Sequence, residues 1–231
     1  MSEPLVIFDL DGVLVDTQHA ENGGLAAVGA LMGLTLTAER ADELFSGKKM
    51  QECIDLMAEL AGVEPPPDAI PLARAACEEL IGDRLDPIDG VRTALAGLAD
   101  AGIPMCVASN SPRELIAGRL DAAGIRPYFG ERLFSAYDVD AWKPDPRLFL
   151  RAAESCGTAP EWCVVVEDSV VGVDAALAAE MTVVQYAADP AQGPHRAGVR
   201  VLTRMDAVPE AVRAHRPTRT PDELRRVEGA A

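Results

Sequence analysis

Three apolar runs of this sequence are each followed by acidic or polar side chains that could form one ligand site. These side chains are Asp9 and Asp11 after residues 5–8, Ser109 and Asn110 after residues 104–108, and Glu167 and Asp168 after residues 163–166. If the runs converge, four carboxylates meet, and like charges a few ångströms apart raise one another's pKa strongly. A hard divalent cation relieves that repulsion, and oxygen ligands without nearby His or Cys favour Mg²⁺. The pattern therefore predicts a magnesium site beside a hydroxyl and an amide.

The elements that must position these residues are strands of a parallel sheet. Residues 5–8 form a continuous apolar run, which is typical of a strand covered on both faces. Taken alone, the Asp-Leu-Asp-Gly that follows could also be an acidic turn. From residue 86 onward, short apolar runs alternate with helical patterns, and this alternation predicts a doubly wound α/β fold. Ligand sites in such sheets lie at the carboxyl ends of the strands, where the polar residues stand.

Local signals predict where several further elements begin. Ser111, Pro112 and Glu114 fit a capping box with proline at the first helical position, so a helix is predicted to start there. Residues 182–186 are predicted to form a further strand, and residues 199–202 a short edge strand.

The segment from residue 17 to about residue 84 has no strong strand signal and is predicted to be helical. Its apolar residues recur at helical spacing in three stripes: Leu25, Val28, Leu31 and Met32; Cys53, Ile54, Met57 and Leu60; and Ala73, Ala76, Cys77, Leu80 and Ile81. Gly33, Gly62 and Gly82 stand where such helices would end. The segment therefore interrupts the α/β pattern as a helical insertion.

Composition and charge limit the classes of function. The chain has 231 residues, 48% of them hydrophobic, which is enough for one core or for a core with an insertion. With 37 acidic and 21 basic residues its formal net charge is −16, which argues against non-specific binding to nucleic acid or to an anionic membrane. The five cysteines are scattered and predict reduced thiols. No signal peptide and no apolar run of membrane-spanning length is visible, so we expect a cytoplasmic protein.

Four motifs, taken in order, resemble those of the haloacid dehalogenase (HAD) superfamily of phosphotransferases. They are Asp9-Leu10-Asp11-Gly12, Ser109-Asn110, Lys143-Pro144-Asp145-Pro146 and Glu167-Asp168-Ser169. The insertion after the first motif resembles the small helical cap of the subgroup that includes β-phosphoglucomutase and many sugar-phosphate phosphatases. The resemblance implies a Rossmann-like core domain at residues 1–16 and 87–231 and an α-helical cap domain at residues 17–86. The charged, proline-broken tail from about residue 216 is expected to be mobile.

The resemblance also implies roles for the acidic residues. Asp9 would be the nucleophile that attacks phosphorus and forms an aspartyl-phosphate. Asp11 would protonate the leaving oxygen and then activate water. Mg²⁺ would bind the Asp9 carboxylate, the backbone carbonyl of Asp11 and Asp168, with Glu167 as a ligand directly or through water.

The other residues implied by the resemblance would contact the substrate. Ser109 and Asn110 would bind phosphate oxygens, and Lys143 would supply a cation for the negative charge. Lys48 and Lys49 in the cap are candidates for contacts with an anionic substrate, although a pair of lysines is usually a solvated face.

Together these residues predict a Mg²⁺-dependent phosphatase of small phosphorylated metabolites, such as sugar or sugar-acid monophosphates, acting through an aspartyl-phosphate. Dehalogenases of the superfamily lack an aspartate at the position of Asp11, so this residue favours a phosphatase over a dehalogenase. A β-phosphoglucomutase-type isomerase is the alternative, although such mutases carry a histidine where Glu21 stands and an arginine in the segment that matches residues 47–50. A non-catalytic binding module that keeps the fold is a second alternative. We expect a monomer or a weak homodimer that binds neither nucleic acid nor membranes.

Overall fold

The computed structural model describes residues 4–45, 48, 50–189, 191 and 195–215. Within these ranges the chain forms two compact units, one of residues up to Val15 and from Asp86 onward, the other of residues Asp16–Leu85. The assignment of the units as a core domain and a cap domain stays a prediction, and the tail predicted to be mobile lies outside the described residues. None of the helices described combines the length and the apolar character that crossing a membrane requires.

Strands and helices alternate in the larger unit, and the described elements of the smaller unit are helices. The strands are β1 (Leu5–Phe8), β2 (Met105–Ser109), β3 (Leu133–Ser135), β4 (Cys163–Glu167), β5 (Thr182–Tyr186) and β6 (Arg200–Leu202). The helices are α1 (Gln18–Leu31), α2 (Ala38–Phe45), α3 (Met50–Ala61), α4 (Ala69–Ile81), α5 (Val91–Asp100), α6 (Arg113–Ala122), α7 (Ala136–Val139), α8 (Arg147–Ser155), α9 (Val170–Ala178) and α10 (Val208–Arg213). Short 3₁₀ helices lie at Arg126–Tyr128, Pro160–Trp162 and Met205–Ala207.

The strands form one parallel, six-stranded sheet with the order β3-β2-β1-β4-β5-β6. Strand β1 lies inside the sheet, with Ile7 opposite Cys106 of β2 on one side and opposite Val165 of β4 on the other. The strand order reverses between β1 and β4, which makes their carboxyl ends a topological switch point. The predicted doubly wound parallel α/β fold is confirmed.

Both faces of the sheet are covered, as the continuous apolar runs predict. Every residue of β1, β2 and β4 is buried. Ile7 packs in a cluster with Leu148 of α8 and Val173 of α9. Its neighbour Phe8 points to the opposite face, where it meets Phe129 edge-to-face with 6.1 Å between the ring centroids. Strand β1 is thus fixed from two sides, and it forms a rigid support for the residues that follow it.

The smaller unit is built around a close approach of α1 and α4. A Cβ on Gly24 of α1 would lie 2.3 Å from the carbonyl oxygen of Ala73 in α4, so only glycine permits this packing. Buried residues from all four helices line the apolar core of the unit. Leu31, Leu60 and Leu80 are 65%, 52% and 56% exposed, so the buried stripes are narrower than the sequence predicts.

Strands β5 and β6 confirm the predicted strand and edge strand, whereas other local predictions are wrong or incomplete. The sequence analysis does not predict the short elements β3, α2 and α10. Each contains too few residues for its apolar positions to show a clear periodicity. Helix α6 begins at Arg113, with Pro112 as its N-cap and no side-chain cap hydrogen bond. The capping box predicted at Ser111 is therefore wrong, and the Ser111 hydroxyl donates to Asp11 instead.

Candidate active site

The carboxyl ends of β1, β2 and β4 bring the predicted polar residues to one edge of the sheet. Asp9 follows β1 directly, and its backbone N–H donates to the carbonyl of Val166 at 3.0 Å. Ser109 is the last residue of β2, and Glu167 is the last residue of β4. Ligand oxygens of Asp9, Glu167 and Asp168 all lie within 4.8 Å of one another. The strand ends therefore converge, while the roles of the individual residues stay predictions.

Lys143 is a buried cation between two of these carboxylates, with only 2% of the residue exposed. Its Nζ donates to Asp9 Oδ1 and, at 2.7 Å, to Glu167 Oε1, and it lies 4.9 Å from the centre of the Phe149 ring. Burial lowers the pKa of Lys143, but the charges of Asp9 and Glu167 raise it more, so the net pKa is above the usual lysine value. The amine is therefore held in its charged form.

The carboxylates stand in a buried and crowded environment that opposes their ionisation. Burial raises the pKa of Asp9 most, and the Lys143 ammonium lowers it. The charges of Glu167 and Asp11 raise this pKa again, so that it reaches about 7 from the ordinary 3.8. Burial, followed by the charges of Glu167 and Asp9, also raises the pKa of Asp168 well above its usual value. The raised pKa values of Asp9 and Asp168 indicate that the neighbouring cations do not fully balance the negative charge of these carboxylates.

The Glu167 carboxylate is engaged at both of its oxygens. Oε1 accepts the hydrogen bond from Lys143, and Oε2 accepts three, each at 2.9 Å, from the backbone N–H of Asp168 and from the N–H and hydroxyl of Ser169. Ser169 is also the N-cap of α9, where its Oγ accepts from the N–H of Gly172 at 3.1 Å. Any metal contact of Glu167 would come in addition to these four bonds, which tie the start of α9 to the site.

The absence of a side chain at Gly12 and at Gly172 makes room for the carboxylates of Asp168 and Glu167. A Cβ on Gly12 would lie 2.2 Å from Asp168 Oδ2, and the φ of +81° at Gly12 itself favours glycine. A Cβ on Gly172, inside α9, would lie 1.8 Å from Glu167 Oε1. Neither position accepts a larger residue unless a carboxylate of the site moves.

Replacing Gly172 with alanine is expected to lower both stability and turnover. The added methyl displaces a Glu167 carboxylate that four hydrogen bonds hold, and such overpacking typically costs about 1–3 kcal/mol. Gly118→Ala is the matched control: this exposed helical glycine of α6 has no atom within 4 Å of an added Cβ, and alanine there should be neutral or stabilising by up to about 1 kcal/mol. Thermal unfolding and kcat of both variants test the prediction, and equal behaviour of the two would contradict it.

Asp11 binds partners that the sequence does not suggest. Nη1 of Arg119, in α6, lies 2.5 Å from Asp11 Oδ1, and Ser111 Oγ donates to Asp11 Oδ2 at 3.2 Å. The Arg119 side chain is 4% exposed and that of Asp11 is 22% exposed. A second buried cation thus belongs to the site, although no sequence motif marks it.

Ser109 and Asn110 also position the backbone around the site. The buried Ser109 Oγ accepts from the N–H of Ser111 at 3.0 Å. Asn110 Oδ1 accepts from the N–H of Lys143 at 3.0 Å. Ser135, in β3, donates from its Oγ to the carbonyl of Ser111 at 2.7 Å. The predicted phosphate-binding pair therefore fixes the segments that carry Ser111 and Lys143.

The charge balance of this part of the molecule fits a divalent cation. Four carboxylates, those of Asp11 and the metal-competent cluster, face the two buried cations Lys143 and Arg119. Full ionisation leaves an excess of two negative charges, which one divalent ion would neutralise. The donors are all oxygen atoms, as a hard cation requires.

The predicted substrate residues of the insertion are described only in part. Lys48 is exposed, and its backbone N–H donates to the carbonyl of Phe45 at 3.0 Å. Lys49 lies outside the described residues. The smaller unit also contains a pocket of about 390 Å³ whose lining includes Asp16 and His19, for which the apolar periodicity gives no signal.

A doubly wound sheet with an acidic cluster at its carboxyl edge places the protein among the Rossmann-like α/β proteins. More narrowly, the sequence model of the haloacid dehalogenase-like hydrolases matches residues 4–180. The chain belongs to this family.

Individual relatives agree with that assignment. The 6-phosphogluconate phosphatase of Escherichia coli K12 is 33% identical over 211 residues, which cover 90% of this chain and 94% of that protein. A HAD family hydrolase from Deinococcus radiodurans R1, solved with bound phosphate and sodium, is 30% identical with a TM-score of 0.73, covering 94% of this chain and 99% of that chain. A beta-phosphoglucomutase from Clostridium difficile, 21% identical with a TM-score of 0.72 over 90% and 93% of the two chains, shares the fold.

These matches confirm the predicted superfamily and the predicted class of enzyme, a hydrolase whose curated relative is named as a phosphatase. The runs at residues 104–107, 142–146 and 187–190 together predict a resemblance to bacterial 6-phosphogluconate phosphatase, and the 33% identity of the chain to that protein confirms the prediction.

Proposed function

We propose that the protein is a Mg²⁺-dependent phosphatase that hydrolyses sugar or sugar-acid monophosphates through an aspartyl-phosphate on Asp9. One observation carries the proposal: the buried carboxylate of Asp9 stands at the carboxyl edge of the sheet, beside the Lys143 ammonium and within 4.8 Å of Asp168. A nucleophile, a fixed cation and a metal-competent cluster in one place are the parts that phosphoryl transfer needs.

The chemistry divides into two displacements at phosphorus. An oxygen of Asp9 attacks in line, and its bond to phosphorus forms as the bond from phosphorus to the leaving oxygen breaks. Asp11 gives a proton to that oxygen and later takes one from the water that attacks the aspartyl-phosphate. The second attack breaks the bond between Asp9 and phosphorus and releases inorganic phosphate.

Three side chains supply donors for the phosphate oxygens in this scheme. The Lys143 ammonium provides a fixed positive charge, and the Ser109 hydroxyl and the Asn110 amide provide hydrogen bonds. A phosphate carries negative charge into a protein whose net charge is −16. Local cations therefore have to offset that repulsion, and the pairing of the Lys143 ammonium with Asp9 supports this role for the lysine.

The divalent ion would be held by Asp9, Asp168 and the backbone carbonyl of Asp11, with Glu167 bound directly or through water. When bound, it supplies the charge that offsets repulsion between carboxylate and phosphate. The name of one relative supports this substrate class: it is a 6-phosphogluconate phosphatase, and 6-phosphogluconate is a phosphorylated sugar acid. Lys48 and Lys49 stay candidates for contact with such a substrate.

Phosphate release from a panel of metabolites tests the proposal. The panel contains 6-phosphogluconate, glucose 6-phosphate as its match without the carboxylate, and β-glucose 1-phosphate, each with Mg²⁺. We expect release from the sugar phosphates, fastest for one of the two 6-phosphates. Absence of release from every compound would refute the phosphatase, and conversion of β-glucose 1-phosphate to glucose 6-phosphate on addition of a sugar bisphosphate would establish the mutase instead.

Removing divalent cations with EDTA is expected to lower kcat at least about a hundredfold, because the uncompensated carboxylates repel the phosphate. Adding excess Mg²⁺ is expected to restore kcat. Mg²⁺ should also raise the melting temperature of the wild-type protein, since it binds the folded state. Asp168→Asn should need more Mg²⁺ for both effects. Full activity in EDTA, or an unchanged Mg²⁺ requirement in Asp168→Asn, would contradict the proposed metal site.

A further inference from the structure

Arg119 is a buried cation to which the proposed reaction assigns no part. It lies on the buried side of α6 with Ile116 and Leu120, and only 4% of its side chain is exposed. Burying a guanidinium is unfavourable unless it is paired, and an apolar side chain of similar volume often packs as well or better. Packing of α6 alone therefore does not account for an arginine here, whereas the bond to Asp11 at 2.5 Å does.

The other oxygen of Asp11 is held by a residue of the same chain segment. Ser111 Oγ donates to Oδ2 at 3.2 Å, and the backbone N–H of Ser111 is itself fixed by Ser109 Oγ at 3.0 Å. Both donors belong to the segment that follows β2, 100 and 108 residues from Asp11 along the chain. An aspartate has two side-chain torsions, and donors on both of its oxygens restrain both torsions.

We propose that Arg119 is a positioning residue, which fixes the Asp11 carboxyl group in the orientation that protonation of the leaving oxygen requires. The inference rests on the proposed phosphatase function, in which Asp11 carries that proton. A general acid must stand within hydrogen-bond reach of the oxygen it protonates. Misplacement by about 1 Å is enough to cost about a hundredfold in rate.

The rate defect of an Arg119 variant should therefore depend on the leaving group. In the first half-reaction the bond from Asp9 to phosphorus forms, the bond from phosphorus to the leaving oxygen breaks, and the proton passes from Asp11 to that oxygen. A sugar alkoxide is a strong base and needs the proton, whereas p-nitrophenolate is a weak base and leaves without it. Because kcat/KM reports this half-reaction, two substrates with different leaving groups isolate the protonation.

The experiment compares kcat/KM for 6-phosphogluconate and for p-nitrophenyl phosphate, both with Mg²⁺. Arg119→Met should lower the value about a hundredfold for the sugar acid and less than about threefold for the aryl ester. Arg119→Lys should recover part of the loss because it keeps a cation. Arg113→Met is the matched control, since Arg113 is exposed on the same helix and donates to Asp138 and to the carbonyls of Glu131 and Leu133. It should leave the ratio of the two values unchanged.

Equal losses of kcat/KM with both substrates would overturn the inference, because a general structural defect lowers kcat/KM regardless of the leaving group. In the Asp11→Asn background, Arg119→Met should cause no further loss with 6-phosphogluconate, and an additional loss would also overturn it. If Arg119→Met does not fold, Ser111→Ala tests the same restraint on Asp11 with a smaller change. An unchanged ratio of kcat/KM for 6-phosphogluconate to kcat/KM for p-nitrophenyl phosphate would then contradict the inference. Wild-type protein that releases no phosphate from either substrate would refute the proposed function and, with it, the inference.

Discussion

Substituting Asp9 by asparagine is expected to abolish phosphate release while the protein still folds. An amide oxygen is a much weaker nucleophile than a carboxylate, and loss of the group that forms a covalent intermediate costs at least about a thousandfold in kcat. The fold should survive, because the change removes a buried carboxyl whose pKa is already raised to about 7. Lys143 also keeps its bond to Glu167 at 2.7 Å.

The measurement is kcat on 6-phosphogluconate with Mg²⁺, together with thermal unfolding of the same preparation. Asp100→Asn changes an exposed acid at the end of α5 and is the matched control, for which both quantities should equal those of the wild type. A folded Asp9→Asn protein with kcat within about tenfold of the wild type would exclude Asp9 as the nucleophile.

The position of the site could be predicted because its main residues follow strong local signals. Strands β1 and β4 are unbroken apolar runs, and parallel strands bring their carboxyl ends to one edge of the sheet. Asp9 comes directly after the first run, and Glu167 ends the strand formed by the second. Sequence order and strand direction were enough to predict that these carboxylates meet, even though about 158 residues separate them.

Arg119 and Ser111 could not be assigned in the same way. An arginine in a helical pattern usually lies on a solvated face, whereas here the buried Arg119 donates to Asp11, which is 108 residues away. Ser111 precedes a helix with Pro112 and Glu114 in the arrangement of a capping box, so its local signal is strong. The tertiary bond to Asp11 replaces the cap, and a local pattern contains no information about that competition.

The role of Gly172 could be predicted from the sequence only in part. A glycine inside a helix costs about 0.5–1 kcal/mol relative to alanine, which indicates that something other than helix stability keeps it there. The sequence therefore contains a signal for a close approach at α9. Only the structure shows that the approaching group is the Glu167 carboxylate.

Replacing Lys143 with methionine is expected to disable the site and to destabilise the metal-free protein. Methionine is of similar length, but it leaves Asp9 and Glu167 as buried carboxylates without the cation that they share. Removing one partner of a buried ion pair typically costs about 3–5 kcal/mol. Phosphate release should fall at least about a hundredfold, because the phosphate also loses its charged donor.

The loss of stability should depend on pH, and its sign follows from Asp9. Lys143 lowers the pKa of Asp9, so without the lysine this pKa rises further above about 7. A carboxyl with a raised pKa in the folded state contributes stability below its unfolded pKa, and that contribution is lost as the pH rises through the folded value. In EDTA, the deficit of Lys143→Met against the wild type should therefore be smaller at about pH 5 than at about pH 8.

A second substitution separates the electrostatic cost from the catalytic loss. In the Lys143→Met background, Glu167→Gln removes the other buried charge, so it should recover part of the unfolding free energy without restoring phosphate release. Arg151→Met, which changes an exposed cation of α8, should alter neither quantity. Wild-type stability of Lys143→Met at about pH 8 would show that the buried lysine is not what balances these carboxylates. Recovery of activity together with stability in the double variant would mean that Lys143 holds the site together but does not contact the phosphate.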